Sequence, residues 1–501
     1  VKPVQDRHIR LAIFIGVIAV AVRFIAINQP FVDEWSWRQS DVAAIARNFL
    51  TGGFHFARPQ IDWAGDQPGY VGTELPIVPF VAALAYKIFG VHECIGRVEA
   101  VILFAASLPF FFLLVCDMFG TTAATCALFF YCFAPLSVMA SRCFMPDMPS
   151  LSVSIIGLYF FQCWIAAAKS TSFFASAACI SLSILLKAPA AIIGAPLAVA
   201  AVYDRRILRG DSSDGHRPPL QWLGLFAMIA LLPSAIWYWH AYQISKEFYP
   251  HHFFGAGGFR FEQLSWYFAI VRGLFVSSLT PVLFILGIAG AIVARSTIKS
   301  RVLYAWLVAM ILFIVVVGYG NRHPWYQLPL VPIAAAFAGE FCARVMSLRA
   351  FANPHSYAAL FMRAGFAIVA TTFAACSLMQ SELLYRPVAA ELREAGLELK
   401  RTTPPGSLIV APDYGDPTIF YYAERRGWHF LECDGVYNGH PSSSEDAIVD
   451  LAQLRWRGAT HLVFYSKTVW WLDEYKEFAR YVEQNATLLE SNAQFRIYRL
   501  K

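Results

Sequence analysis

The 501-residue chain is 57% hydrophobic and 16% aromatic with only 15% charged residues, a balance far too apolar for a soluble fold of ordinary composition. Its formal net charge of +6 resides in short loops between apolar runs, where basic residues set insertion topology, so the charge does not point to nucleic acid. Most of the ten cysteines lie inside apolar runs without C-x-x-C spacing, and they read as small buried hydrophobes rather than a disulfide framework or a zinc site.

The first apolar run, "LAIFIGVIAVAVRFIAI" at 11–27, follows a charged amino-terminal segment and is too long for a cleaved signal, so it reads as a membrane span. Ten further runs, near 97–116, 121–141, 149–168, 173–187, 189–203, 220–240, 274–294, 301–319, 325–343 and 364–380, bring the expected total to about eleven transmembrane helices. Loop charge decides the ambiguous run at 76–90. The amino terminus (Lys2, Arg7, Arg10) and the basic loops carrying Arg205, Arg206, Arg209 and Arg217, Arg295, Lys299 and Arg301, and Arg344, Arg349 and Arg363 all become cytoplasmic only if 76–90 lies along the interface.

The opposite face then receives the long loop 29–96, "SRCFMPDMPS" around Asp147, the hinge at Lys187, the loop 241–273, the turn "GNRHPWYQ" and the tail. Two domains are expected: a transmembrane domain over 1–380, with juxtamembrane helices in its first outer loop, and an extracytoplasmic α/β domain over 385–501. In that tail "GSLIVAP" and "HLVFYS" read as buried strands, and "SEDAIVDLAQLRWRG" and "DEYKEFARYVEQNA" as amphipathic helices.

The stretch "FVDEWSWRQSD" places Asp33 and Glu34 where the chain leaves the bilayer, and Glu74, Asp147, Lys187, Arg322 and His323 are assigned to the same face. Ionisable groups near the membrane are costly to desolvate and mark candidate sites. Each has a plainer reading: a solvated helix end for the acids, a snorkelling Lys187, a satisfied turn histidine for His323, and interfacial belt aromatics for Trp35 and Trp37.

An acidic pair after the first span, a long first outer loop, an aspartate after the third span, "HPWYQLPLVP" entering a late span and an α/β tail together resemble the C-type, polyprenyl-phosphate-sugar-dependent glycosyltransferases. The branch resembled is that of the protein O-mannosyltransferases and the lipid A aminoarabinose transferase. The resemblance implies that Asp33 is the catalytic base or the group that orients the acceptor, with Glu34 beside it in support and Asp147 as the second outer-loop acid of the catalytic set. It also maps the family's aromatic and histidine-bearing turn onto His323, Trp325 and Tyr326. Where the aminoarabinose branch has Glu-Lys-Pro-Pro, this chain has "TELPI", so Glu74 is kept while Leu75 replaces a phosphate-binding lysine. Arg58, Lys187 and Arg322, with Arg142, are the cations left for the donor phosphate, and Glu74, His323, Tyr326 and Trp35 are expected at the substrate.

Transfer from a lipid phosphate to a hydroxyl requires a base at the attacking oxygen and positive charge where the phosphate leaves. A single base suits one displacement with inversion. The expected partners are a polyprenyl-phosphate sugar donor and a glycolipid, polysaccharide or protein acceptor, at a bacterial inner membrane with the active face toward the periplasm. No cofactor is expected to be required, although Asp33, Asp147 and Glu74 offer oxygen ligands to a divalent metal as an alternative. His251 and His252 lack helical zinc-ligand spacing. The competing function is a transporter or flippase of lipid-linked sugars, suggested by Lys187 beside Pro189 in a broken helix pair, although no duplicated half is visible.

Overall fold

The computed structural model describes residues 6–203, 220–253, 260–295, 297–318, 322–348, 357–433, 436–437 and 439–501. The basic loop 205–217 and Arg349, used above to orient the chain, lie outside the described residues. The chain divides into two compact units, one of Val1–Ile27, Arg97–Trp237 and Gly255–Leu383, the other of Asn28–Gly96, Tyr238–Phe254 and Leu384–Lys501.

The first unit is helical. Five described helices are long and apolar enough to cross a membrane, namely Glu93–Phe119, Asp147–Ala167, Gln221–Glu247, Lys299–Val317 and Ala359–Leu384, and the pair Leu264–Ser278 and Thr280–Val293, bent by 109°, makes a sixth if it is one span. The expected count of about eleven is not established, and proline accounts for part of the shortfall. The run 121–141 is a helix Thr121–Phe133 followed at Pro135 by a short helix Pro135–Ala140, and the runs 173–187 and 189–203 are parted at Lys187–Pro189. A proline removes an amide donor and clashes with the preceding turn, so each run breaks into pieces too short to pass alone.

Small residues let these helices approach closely. A Cβ on Gly339 would lie 2.3 Å from the carbonyl oxygen of Ala123, and one on Gly290 would lie 1.9 Å from that of Phe337. Arg23, fully buried near the end of the first helix, donates to Ser141 Oγ at 2.7 Å and to the carbonyls of Cys132 (2.7 Å) and Ala19 (2.9 Å), and stacks on Phe104. A charge at that depth is tolerated because its donors are met.

The second unit is built on a five-stranded sheet in the order β2-β1-β5-β7-β6, where β1 is Leu408–Ala411, β2 Arg426–His429, β5 His461–Tyr465, β6 Ala486–Ser491 and β7 Phe495–Leu500. β1 runs parallel to β2 and β5, whereas β7 is antiparallel to β5 and β6; the short strands β3 (Glu432–Cys433) and β4 (Val436–Tyr437) form a separate antiparallel pair. Both faces are covered, which is why "LIVA" and "HLVFY" are almost continuously apolar. Side-chain alternation sorts Ile409, Ala411, Val463, Tyr465 and Ile497 to one core, and Val410, Leu462 and Phe464 to the other. The first core is closed by residues from the long loop, including Val32, Ile45, Phe49, Ile61 and Val71, and by the helices Ala390–Thr402 and Thr418–Ala423; the second is closed by the helices Ser444–Trp456 and Lys476–Asn485.

Residues 76–90 form a helix, Ile77–Phe89, of 13 residues within this unit. At 1.5 Å per residue it reaches about 20 Å, short of the ~30 Å hydrocarbon core.

Candidate active site

In the helical unit three helix ends meet. Asp147 is the first residue of the helix Asp147–Ala167, Lys187 follows the helix Ser170–Leu186 in an extended conformation, and Tyr326 lies in the 3₁₀ turn Pro324–Gln327. Serines register the first two helices: Ser150 Oγ donates to the Ser183 carbonyl at 2.8 Å, Ser183 Oγ to the Ser150 carbonyl at 2.9 Å, and Ser176 Oγ to the Gly157 carbonyl at 2.7 Å. That register brings Lys187 Nζ to 3.2 Å from Asp147 Oδ1 and to 4.7 Å from the Tyr326 ring centroid.

The group opens into a pocket of about 480 Å³, its mouth included, walled by Trp306, Met310, Trp325 and Leu328 among others. Asp147 and Lys187 are 6% and 7% exposed, and Asp147 Oδ2 is buried with no hydrogen-bond partner among the described residues. His323 stacks on Trp325 with ring centroids 4.5 Å apart. Arg322, in the same turn, is exposed.

In the sheet-containing unit Asp33 is fully buried. Its Oδ1 accepts from the Trp35 backbone N–H at 3.1 Å and from Gln39 Nε2 at 2.7 Å, so the first turn of the helix Ser36–Gly52 holds the carboxylate. Glu34 is exposed and its backbone N–H donates to the Leu384 carbonyl. Adjacent residues point in different directions, and here one acid is buried while the other meets solvent. The Trp35 side chain is 3% exposed.

Glu74 takes both its oxygens to Arg38 Nη2, at 2.9 and 3.0 Å, and accepts from Thr73 Oγ1 at 2.5 Å. Arg38 also lies 3.7 Å from Asp41, whose Oδ1 accepts the Trp63 indole N–H at 2.8 Å. Burial pushes the Asp41 carboxyl up to about 6 against the opposing pull of Arg38. The Trp63 ring packs against both His252 (5.5 Å) and His429 (5.2 Å), and His429 Nδ1 hydrogen-bonds Asp413 at 2.8 Å. Burial, reinforced by Arg38, pushes His252 down to about 4. Arg58 is exposed, its guanidinium 5.6 Å from the Tyr70 ring centroid, and belongs to neither cluster.

The structure therefore brings Asp147, Lys187 and Tyr326 together, with His323 one stacked ring away, and places Asp33 and Glu74 in the sheet-containing unit, each buried and held by its own polar partners. Sequence reasoning missed Arg38, Asp41, Trp63, His252, His429 and Asp413 as the polar cluster around Glu74. The only signal was the i,i+3 spacing of Arg38 and Asp41 on one helix. Among the described residues no group of three or more His, Cys, Asp or Glu side chains could hold a metal ion.

Residues 66–239 match the family model "Dolichyl-phosphate-mannose-protein mannosyltransferase". No curated protein matches the sequence. Among solved structures, ArnT from Cupriavidus metallidurans bound to undecaprenyl phosphate is 14% identical, with 97% of each chain covered and a TM-score of 0.64. The archaeal oligosaccharyltransferase AglB from Archaeoglobus fulgidus, in complex with an inhibitory peptide and a dolichol-phosphate, is 13% identical, with 99% of this chain and 74% of that chain covered and a TM-score of 0.64.

Proposed function

We propose that this chain, a multi-pass membrane protein with the C-type glycosyltransferase fold, moves a sugar from a polyprenyl-phosphate donor to a hydroxyl of a glycolipid, polysaccharide or protein on the outer face of a bacterial inner membrane. The observation that carries the reading is the Lys187 ammonium, held by Asp147 in a pocket with apolar walls. A leaving phosphate needs charge of that sign in a partly desolvated place, and the walls suit the lipid chain. Asp147 orients Lys187 and leaves its second oxygen for a hydroxyl of the donor sugar, while Tyr326 packs on the ammonium.

Asp33 takes the acceptor proton as the acceptor oxygen bonds to the anomeric carbon; the bond from that carbon to the phosphate oxygen breaks, and polyprenyl phosphate leaves, with inversion. Gln39 and the Trp35 amide fix the Asp33 carboxylate. Glu74, tied to Arg38, positions substrate rather than competing as a base.

Sugar transfer and donor binding measured together test these roles. Asp33→Asn is expected to lose transfer by at least about a hundredfold while binding donor and remaining folded. Lys187→Ala should weaken donor binding and turnover together, whereas alanine at the exposed Arg58 and Arg322 has smaller effects. An active Asp33→Asn enzyme would move the base to Asp147 or Glu74, and normal turnover in Lys187→Ala would place the phosphate elsewhere.

A further inference from the structure

An aromatic surface on the sheet-containing unit takes no part in the reaction described above. Tyr414 follows β1, is 45% exposed and has φ +56°, a left-handed conformation that a bulky side chain adopts only under constraint. The constraint is Asp413, 1% exposed at its side chain, which hydrogen-bonds His429 Nδ1 at 2.8 Å and accepts the Gly415 backbone N–H at 3.0 Å. Those bonds fix the turn and leave Tyr414 on the outside.

Trp470, 37% exposed, donates its indole N–H to the Tyr414 hydroxyl at 3.3 Å, and that hydroxyl donates to the Lys467 carbonyl at 3.3 Å. Tyr437 lies edge-on to Tyr414 at 6.3 Å, while His440 and Tyr475 each lie 5.9 Å from Trp470. The Tyr475 hydroxyl is anchored on the Pro441 carbonyl at 2.6 Å. The polar edges of Tyr414 and Trp470 are thus tied into the turn, which holds both partly exposed rings in place.

Flat ring faces bordered by hydroxyl, indole and imidazole groups suit a ligand that is itself apolar on one face and hydroxylated at its rim, which is the chemistry of a pyranose ring. A lipid surface would call for exposed aliphatic and basic residues. Here Leu472 is buried, and the exposed Lys467 and Lys476 are balanced by the exposed Asp473 and Glu474, so the patch offers anionic headgroups no net positive charge.

We propose that Tyr414 and Trp470, flanked by Tyr437, His440 and Tyr475, form a saccharide-binding platform that holds the glycan portion of the acceptor. The acceptor role rests on the glycosyltransferase reading; saccharide binding itself does not. The test is saturation-transfer NMR and affinity titration of the full-length protein in nanodiscs with neutral oligosaccharides, chitotetraose and maltohexaose, for wild type and for Trp470→Ala, Trp470→Phe, Tyr414→Gly and Asp33→Asn.

At least one oligosaccharide should receive saturation in the wild type, and Kd should rise by about tenfold or more in Trp470→Ala and Tyr414→Gly while Trp470→Phe recovers part of the loss. Glycine occupies φ +56° without strain, so Tyr414→Gly should stay folded, and its thermal unfolding separates lost binding from lost structure. Asp33→Asn should bind saccharide as wild type does. A wild-type protein that binds saccharide but transfers no sugar from polyprenyl-phosphate donors would overturn the transferase reading and keep the platform. The platform is overturned if the wild type binds neither sugar, if Trp470→Ala and Tyr414→Gly bind as wild type, or if those variants instead lose association with anionic vesicles.

Discussion

Asp41 and His252 are titratable groups of one network whose burial shifts them in opposite senses. Asp41 is raised from 3.8 to about 6, so between these values the native state keeps a proton that the unfolded chain has released, and its contribution to stability is lost as pH rises from about 4 to about 6. His252 is lowered from 6.5 to about 4, so the native state lacks a proton that the unfolded chain holds, and its contribution grows as pH rises from about 4 to about 6.5. Each shift corresponds to about 3 kcal/mol. Thermal unfolding followed against pH should resolve the two: relative to wild type, Asp41→Asn should gain stability as pH rises through this window, and His252→Gln should lose it. Parallel curves for both variants and wild type would mean that neither group titrates differently in the folded state.

Helices of the first unit depend on positions where no side chain fits. At Gly339 and Gly290 a new methyl group would run into backbone carbonyls at 2.3 and 1.9 Å, and backbone cannot give way as a flexible side chain can. Alanine at either position should cost about 1–3 kcal/mol through overpacking. Gly224 and Gly365 are helical positions where an added methyl group would meet nothing within 4 Å, so alanine there should be neutral or slightly stabilising through helix propensity. Thermal unfolding in detergent distinguishes the two pairs, and equal effects at all four positions would contradict a packing origin.

For the whole molecule, loop charge predicts that the sheet-containing unit faces outside and the Asp117–Lys299 pair inside. Trp456 is 90% exposed and Lys299 is also exposed at its side chain, so both positions can report their side of the membrane. A membrane-impermeant maleimide applied to intact spheroplasts should label Trp456→Cys above the wild-type background and should reach Lys299→Cys only after permeabilisation. Labelling of Lys299→Cys first would invert the topology and, with it, the side on which the acceptor is met.

Local signals in the chain were enough for the membrane class, for strands β1 and β5, and for the helices Ser444–Trp456 and Lys476–Asn485, because hydropathy and periodicity are properties of neighbouring residues. They also mark Asp33, Asp147 and Lys187 as candidates, since a charge bordering an apolar run is conspicuous wherever it ends up. Partnership was not legible. Nothing in "SWRQSD" announces that Arg38 will meet Glu74, 36 residues on, or in "TELPI" that Glu74 will be neutralised by an arginine. Nor does the sequence tell the buried Lys187 from the exposed Arg58 and Arg322, or show that residues 28–96 close one face of the carboxyl-terminal sheet. Those outcomes are decided by desolvation in the folded chain: a buried charge must find its counter-charge among groups that packing brings close, and packing is a property of the tertiary structure.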